Sequence, residues 1–253
     1  MASADRLLDR LVEVGKRLVA EPRRLNRYSG VQAADELIND LDRFPHAYVI
    51  ACVMDRQMQA EKAWLVPYEL KQRLGAFDIG FLGGLPLAAY ERAMAWPTHL
   101  HRFHQSMACF VHDAVQRICR QYGGDASAIW AGRPSSADVV ARFREFRGVG
   151  PKIAAMAANL LVRDMKVSLS DHQSIDISAD PQVQRVFTRM GFVPQGASLT
   201  DMIHCARRLH CDYPGIFDGV LWELCRTVCL PQEPRCTDCQ WSTLCGYGRT
   251  ASQ

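Results

Sequence analysis

Four cysteines near the C-terminus constrain the fold of this chain more than any other feature. They follow a C-x6-C-x2-C-x5-C pattern within seventeen residues, at Cys229, Cys236, Cys239 and Cys245. The C-x2-C pair lets two sulfurs reach one metal centre from a tight turn, and Pro231 and Pro234 break the chain inside the first interval. Sets of four thiolates hold iron–sulfur clusters or structural zinc. The pattern therefore favours a metal centre over a set of ordinary buried cysteines.

The rest of the composition is that of a globular protein. Its 253 residues are 48% apolar and 23% charged, enough for one large core or two smaller ones. No apolar run approaches the length that spans a bilayer, and the N-terminus alternates charges with leucines, unlike a signal peptide. We expect a cytoplasmic protein, in which the ten cysteines are metal ligands and reduced core thiols rather than disulfides.

The charge balance gives only a local indication of a partner. The net charge is +3, which is too small to indicate binding to a polyanion. Between residues 141 and 166, however, six basic residues outweigh two acidic ones, which leaves +4. This excess is as typical of a solvated helix face as of a nucleic-acid contact.

Helical periodicity runs through almost the whole chain and predicts an all-α fold. We expect a buried central helix in the apolar segment 46–58, a loop at 75–86 because of its glycines, and an irregular segment at 166–179 with some strand character. Helices are predicted at residues 4–20, 32–43, 46–58, 60–74, 87–94, 99–122, 136–146, 151–164, 181–190, 199–210 and 215–228.

A tight turn joins two of these helices. Residues 143–154 read FREFRGVGPKIA, which predicts a helix end at Phe146, a turn through Gly148, Val149 and Gly150, and a new helix at Pro151. Such a turn directs backbone N–H groups outward at a positive helix terminus, an arrangement that suits a phosphate.

This segment (143–164) resembles the helix-hairpin-helix motif, whose G-V-G turn contacts a DNA phosphate without reading sequence. The resemblance implies that Arg147, Gly148, Val149 and Gly150 contact DNA, although the family usually has proline at the position of Arg147. The turn and the cysteine pattern about eighty residues later occur together in the endonuclease III superfamily of DNA glycosylases. The cysteine spacing resembles the [4Fe-4S] loop of that family.

Two further segments, at residues 49–57 and 180–186, extend the resemblance over residues 45–245. VIACVMDRQ at 49–57 is similar to the family's first barrel helix, and its match implies that Gln57 enters the space that an extruded nucleotide leaves in the duplex. The resemblance implies two helical domains that flank a DNA-binding cleft: a barrel at 45–164, and 1–44 plus 165–253 with the cluster loop 229–245.

Lys152 stands where bifunctional family members carry their nucleophile. A helix N-terminus and neighbouring cations favour the neutral amine, which is the form that attacks C1′ of deoxyribose, expels the base and forms a Schiff base. β-Elimination then nicks the strand. A lysine that binds phosphate, or is merely solvated, is the alternative.

Asp180 matches the catalytic aspartate of the family, because DPQVQRV resembles the D-x-H-V-x-R-V segment. A carboxylate there would stabilise the cationic sugar, and the residue can also be a plain N-cap. The interval from Lys152 is 28 residues, longer than in the prototype, which we attribute to an insertion at 166–177. Asp171 fits the shorter spacing but starts no helix, and Gln182 replaces the usual histidine.

The resemblance implies a monomeric base-excision glycosylase, expected to have AP lyase activity, that acts on double-stranded DNA containing a damaged or mismatched base. A monofunctional glycosylase of the adenine-mismatch or alkylpurine type and a non-catalytic DNA-structure binder are the alternatives. A lone iron–sulfur redox protein is disfavoured, because the hairpin and the helical body would have no role in it. Asp55, Gln59 and Trp64 are candidates for the base pocket.

Overall fold

The computed structural model describes residues 3–251 and contains helices but no strand in that range, which confirms the all-α prediction. The α-helices described are Ser3–Ala20 (α1), Gln32–Asn39 (α2), Pro45–Met54 (α3), Ala60–Leu74 (α4), Ile79–Gly84 (α5), Leu87–Ala95 (α6), His104–Gln121 (α7), Ser136–Arg144 (α8), Pro151–Arg163 (α9), Pro181–Met190 (α10), Leu199–Leu209 (α11), Asp218–Thr227 (α12) and Gly246–Ala251 (α13). Short 3-10 helices lie at Ala126–Ile129, Pro214–Phe217 and Cys236–Asp238. None of the described helices has the length and apolarity to cross a membrane.

Two compact units divide the chain. One consists of Arg23–Pro134 and Ala141–Ala157, and we call it the hairpin unit because it contains the G-V-G turn. The other consists of the described parts of Met1–Pro22, Ser135–Val140 and Ala158–Gln253, and we call it the cysteine unit. The division falls within α8 and within α9.

The core of the hairpin unit is built around α3. All ten residues of this helix are buried, as the apolar segment predicts, because a helix without a polar face needs neighbours on every side. The Tyr48 hydroxyl donates to the carbonyl of Ala157 at 2.7 Å, which joins α3 to α9. The Tyr48 ring also lies edge-on to Trp64 and Trp130, with centroids 5.8 and 5.9 Å away.

The predicted loop at 75–86 was wrong in its middle, where α5 forms. The helix begins because Asp78 accepts a hydrogen bond from the backbone N–H of Phe81 at 2.8 Å, a side-chain cap. It stays at six residues, ending in two glycines that lower helix propensity. The terminal helix α13 was not predicted.

The irregular segment 166–179 lies in the cysteine unit and is held by polar contacts instead of strand pairing. The buried Asn159 side chain donates to the carbonyl of Asp176 at 2.9 Å and accepts from the Tyr213 hydroxyl at 2.9 Å. The Asp176 carboxylate also receives two hydrogen bonds from Arg207, at 2.7 and 2.8 Å. Side-chain contacts at Asp176 thus hold the segment within its unit without a sheet.

Candidate functional site

The G-V-G turn lies between α8 and α9, as its sequence predicts. Gly148 has a φ of +90°, in the left-handed region, and a Cβ there would lie 2.6 Å from the ring of Phe110. Glycine is therefore required at this position both by backbone conformation and by space. A Cβ on Gly150 would have no atom within 4 Å, so that side of the turn is open. The Val149 side chain is buried, and its N–H donates to the carbonyl of Phe146 at 3.0 Å.

Two arginines flank the turn. The guanidinium of Arg147 lies 5.1 Å from the centre of the Phe110 ring, and that of Arg56 lies 5.6 Å from it. Arg56 also donates to the carbonyl of Gly148 at 3.3 Å. The Arg147 side chain is 63% exposed and forms an ion pair with Asp113 at 3.0 Å. Sequence reasoning identified Arg147 but missed Arg56, which is 92 residues away from the turn it contacts.

Lys152 is the second residue of α9, directly after the turn. Its Nζ lies 3.2 Å from Oδ2 of Asp55, and the two side chains are 37% and 8% exposed. Asp55 is the C-cap of α3. A carboxylate at this distance favours the ammonium form of Lys152, whereas the sequence predicts neighbouring cations that favour the amine. The sequence alone indicates Asp55 only as a candidate for the base pocket.

Gln57 is exposed, and its backbone lies in the left-handed region with a φ of +54°. A non-glycine residue in this conformation carries a strain of about 1–3 kcal/mol, which its surroundings must hold in place. The Gln57 Oε1 accepts from Arg102 at 3.0 Å, and the Arg102 guanidinium lies 4.5 Å from the centre of the Phe103 ring. His101 Nε2 is 3.0 Å from the carbonyl of Arg56, the residue before the strained one.

Asp180 caps α10 in the cysteine unit. Its Oδ1 accepts from the backbone N–H groups of Gln182 and Val183 at 2.8 and 3.0 Å. The N-cap role weighed from the sequence is thus present, and the catalytic role stays a prediction. The thiol of Cys225 is buried, and burial followed by the charge of Asp180 raises its pKa to about 11. That thiol is therefore neutral at physiological pH.

Asp171 has a structural role in its own segment. It accepts hydrogen bonds from the Ser136 hydroxyl and from the backbone of Gln173, the latter at 3.2 Å. The bond from Ser136 is the main reason that the pKa of Asp171 lies below its usual value. Among the pocket candidates, Trp64 is buried against Tyr28, with ring centroids 4.4 Å apart, which makes it a core residue.

The four cysteines of the C-terminal pattern line one cavity of the cysteine unit. Burial and the neighbouring sulfurs raise the pKa of both Cys236 and Cys239. The cavity lining comprises Val186, Arg189, Met190, Leu224, Val228, Cys229, Cys236, Cys239, Trp241, Ser242, Cys245, Tyr247 and Gly248. Four thiols around one space are a donor set that fits a four-thiolate centre. As they stand, however, no three His, Cys, Asp or Glu side chains in residues 3–251 are grouped so as to hold a metal ion.

Two arginines of α10 hold the backbone of this cysteine loop. Arg185 donates to the carbonyl of Cys229 at 2.9 and 3.1 Å. Arg189 donates to the carbonyl of Pro231 at 2.9 Å, and its Nη1 lies 3.4 Å from the sulfur of Cys229. The helix that begins at Asp180 therefore also anchors the cysteines.

Comparison with known proteins gives a match in fold only. No protein-family model and no curated protein matches the sequence. A structure of endonuclease III trapped as a covalent intermediate with DNA is 17% identical, with a TM-score of 0.57, and covers 91% of this chain and 100% of its own. A thermostable thymine-DNA glycosylase is 15% identical, with a TM-score of 0.62 and coverage of 97% and 98%. A non-covalent complex of endonuclease III with DNA is 17% identical, with a TM-score of 0.57 and coverage of 90% and 99%.

The sequence motifs and the arrangement of the helices thus agree, since the fold that the motifs predict is the fold of these structures. The chain has the endonuclease III-like helix-hairpin-helix fold over at least nine-tenths of its length.

Proposed function

We propose that the protein is a base-excision repair DNA glycosylase acting on double-stranded DNA with a damaged or mismatched base. The observation that carries the proposal is the position of Lys152, two residues after a G-V-G turn, in a fold shared with endonuclease III trapped covalently on DNA. A lysine at this point of the chain would act as the covalent nucleophile. The proposal includes AP lyase activity.

DNA would be bound by the hairpin unit through its backbone. The turn at Gly148–Gly150 presents an open side beside Gly150, at the start of α9, where a phosphate is favoured by the helix dipole. Arg147, which is 63% exposed, adds a positive charge next to it. Contacts of this kind position a duplex without reading its sequence. Gln57 is the candidate to fill the space left by the extruded nucleotide.

Lys152 and Asp180 would divide the chemistry. The amine of Lys152 would bond to C1′ as the base leaves, and the resulting Schiff base would allow β-elimination. Asp180 would stabilise the positive charge that builds on the sugar. Its capping bonds support this role, because two N–H donors on Oδ1 fix the carboxylate in one orientation.

The cysteine loop would hold a [4Fe-4S] cluster through Cys229, Cys236, Cys239 and Cys245. The four sulfurs line one cavity, and Arg189 lies beside one of them, where a cation would offset the negative charge of a thiolate-bound cluster. Base removal needs no electron transfer, so the cluster would supply structural order to the loop. Arg185 and Arg189 would then keep the loop attached to α10.

Borohydride trapping on a panel of lesion-containing duplexes tests the proposal. We expect the wild-type protein to release one or more damaged bases and to form a covalent complex with DNA that Lys152→Gln abolishes. Lys62→Gln is the matched control, because Lys62 is an exposed lysine on α4 of the same unit. Base release without trapping would instead support a monofunctional glycosylase, and binding without base release a non-catalytic DNA protein.

A further inference from the structure

The ion pair between Asp55 and Lys152 brings together two residues 97 positions apart. Asp55 ends the wholly buried helix α3, and its N–H donates to the carbonyl of Cys52 at 3.1 Å. Its side chain is 8% exposed, whereas Lys152 is 37% exposed. The carboxylate is thus buried, whereas the lysine side chain is partly accessible to solvent.

A second contact, made by the neighbouring Arg56, also joins the end of α3 to the segment that carries Lys152. Arg56 donates to the carbonyl of Gly148 at 3.3 Å, so the end of α3 is joined to the turn as well as to the first turn of α9. Because both elements belong to the hairpin unit, the distance between Asp55 and Lys152 is set by packed structure. Exposed ion pairs contribute little to stability, but a carboxylate held within hydrogen-bond reach of a lysine has the geometry that a proton acceptor needs.

We infer that Asp55 is a catalytic residue that exchanges a proton with Lys152, an inference that rests on the proposed function. A resting ammonium has no lone pair with which to attack, so Lys152 must first lose a proton. Asp55 Oδ2, at 3.2 Å, is within reach of that proton. Asp180 keeps the separate role of stabilising the cationic sugar.

The proton balance is simplest on an abasic site, where C1′ is an aldehyde carbon. Lys152 transfers one proton to Asp55, which gives a neutral amine and a carboxylic acid. The Nζ lone pair forms a bond to C1′, and a proton moves from nitrogen to the former carbonyl oxygen. Asp55 then returns its proton to this hydroxyl group, the bond from C1′ to oxygen breaks, and water leaves. The product is the protonated Schiff base, and the carboxylate is regenerated.

On a damaged base the first proton transfer is the same. The Nζ lone pair bonds to C1′ while the bond from C1′ to the base breaks. The electron pair leaves with the base, which takes a proton from water, and Asp55 gives its proton to the hydroxide that remains, so that the carboxylate is regenerated. The nitrogen then passes one proton to O4′ as the bond from C1′ to O4′ breaks, and the product is again the protonated Schiff base. Asp55 is therefore needed both with and without base loss, whereas a group that only stabilises the departing base is needed for damaged-base substrates alone.

Borohydride trapping on abasic duplex DNA distinguishes proton exchange with Lys152 from stabilisation of a departing base, because no base has to leave. We expect Asp55→Asn to slow trapping about a hundredfold while it binds DNA as the wild type does. Asp55→Glu should restore much of the rate, and formate should accelerate trapping by Asp55→Ala at constant ionic strength, because a small carboxylate can replace the missing one. Glu145→Gln, which removes a 2.9 Å ion pair with Arg117 in the same unit, is the control and should trap normally.

Trapping by Asp55→Asn within about twofold of the wild type would overturn the inference. So would a slow variant that neither glutamate nor formate rescues, since a purely structural ion pair predicts that result. Asp55→Glu and Asp55→Ala keep the test decisive if Asp55→Asn does not fold. Covalent trapping that persists in Lys152→Gln would instead contradict the lyase part of the proposed function, which makes the two failures distinguishable.

Discussion

Alanine at Gly148 should destabilise the protein through two separate effects at one atom. The left-handed backbone, with a φ of +90°, costs an L-residue about 1–2 kcal/mol. The added Cβ would also lie 2.6 Å from a ring carbon of Phe110, and relief of such overlap in a packed site costs about 1–3 kcal/mol. We therefore expect Gly148→Ala to lower the free energy of unfolding by about 2–5 kcal/mol, a large part of the stability of a typical domain.

Urea unfolding followed by circular dichroism measures this change, and Gly150→Ala provides the comparison. An added Cβ on Gly150 has no atom within 4 Å, so its cost should be below about 1 kcal/mol. A larger side chain at Gly150 should weaken binding to lesion and undamaged duplexes by similar factors, because it obstructs a backbone contact. Wild-type stability of Gly148→Ala would refute the reasoning, and a Gly150 effect restricted to one base sequence would contradict phosphate binding.

Two other predictions concern the cysteine unit. Asp180→Asn should keep the stability of α10, since asparagine caps as well as aspartate, and yet slow base release about a hundredfold, the equivalent of ~3 kcal/mol. Asp171→Asn should have little effect on base release. A single-turnover assay in which Asp171→Asn loses activity and Asp180→Asn keeps it would show that Asp171 is the catalytic aspartate. Protein purified under iron-replete conditions should contain about four irons and four sulfides per chain. Cys236→Ser should lose them and destabilise the C-terminal region, whereas stoichiometric zinc without iron would contradict the assignment.

The parts of the fold that depend on the local sequence pattern could be predicted from the sequence. The apolar segment of α3 predicted a buried helix, and the two glycines with Pro151 predicted the turn and the start of α9. The short helix α5 was missed because its formation depends on one side-chain cap at Asp78, which outweighs the poor propensity of its glycines.

The contacts that define the candidate site were less accessible, because they join residues distant in sequence. Nothing in the local pattern of MDRQ shows that Asp55 meets Lys152, or that Arg56 reaches the carbonyl of Gly148. The two charged residues at the end of a wholly buried helix were nevertheless a signal, because such a helix ends where the chain leaves the core. The cations near Lys152 in the sequence favour its neutral amine. The buried Asp55 carboxylate, which favours the ammonium, is distant in sequence and so did not enter that prediction.

The position of α10 has a thermodynamic consequence for the cysteine unit. The same ten-residue helix begins at the Asp180 cap and carries, in its middle and near its other end, the arginines that donate to the carbonyls of Cys229 and Pro231. Any ligand that binds only the ordered loop therefore stabilises α10 as well, by an amount that grows with the logarithm of ligand concentration. The supply of that ligand would then set the fraction of molecules in which the Asp180 carboxylate is correctly oriented, even though the ligand takes no part in the reaction.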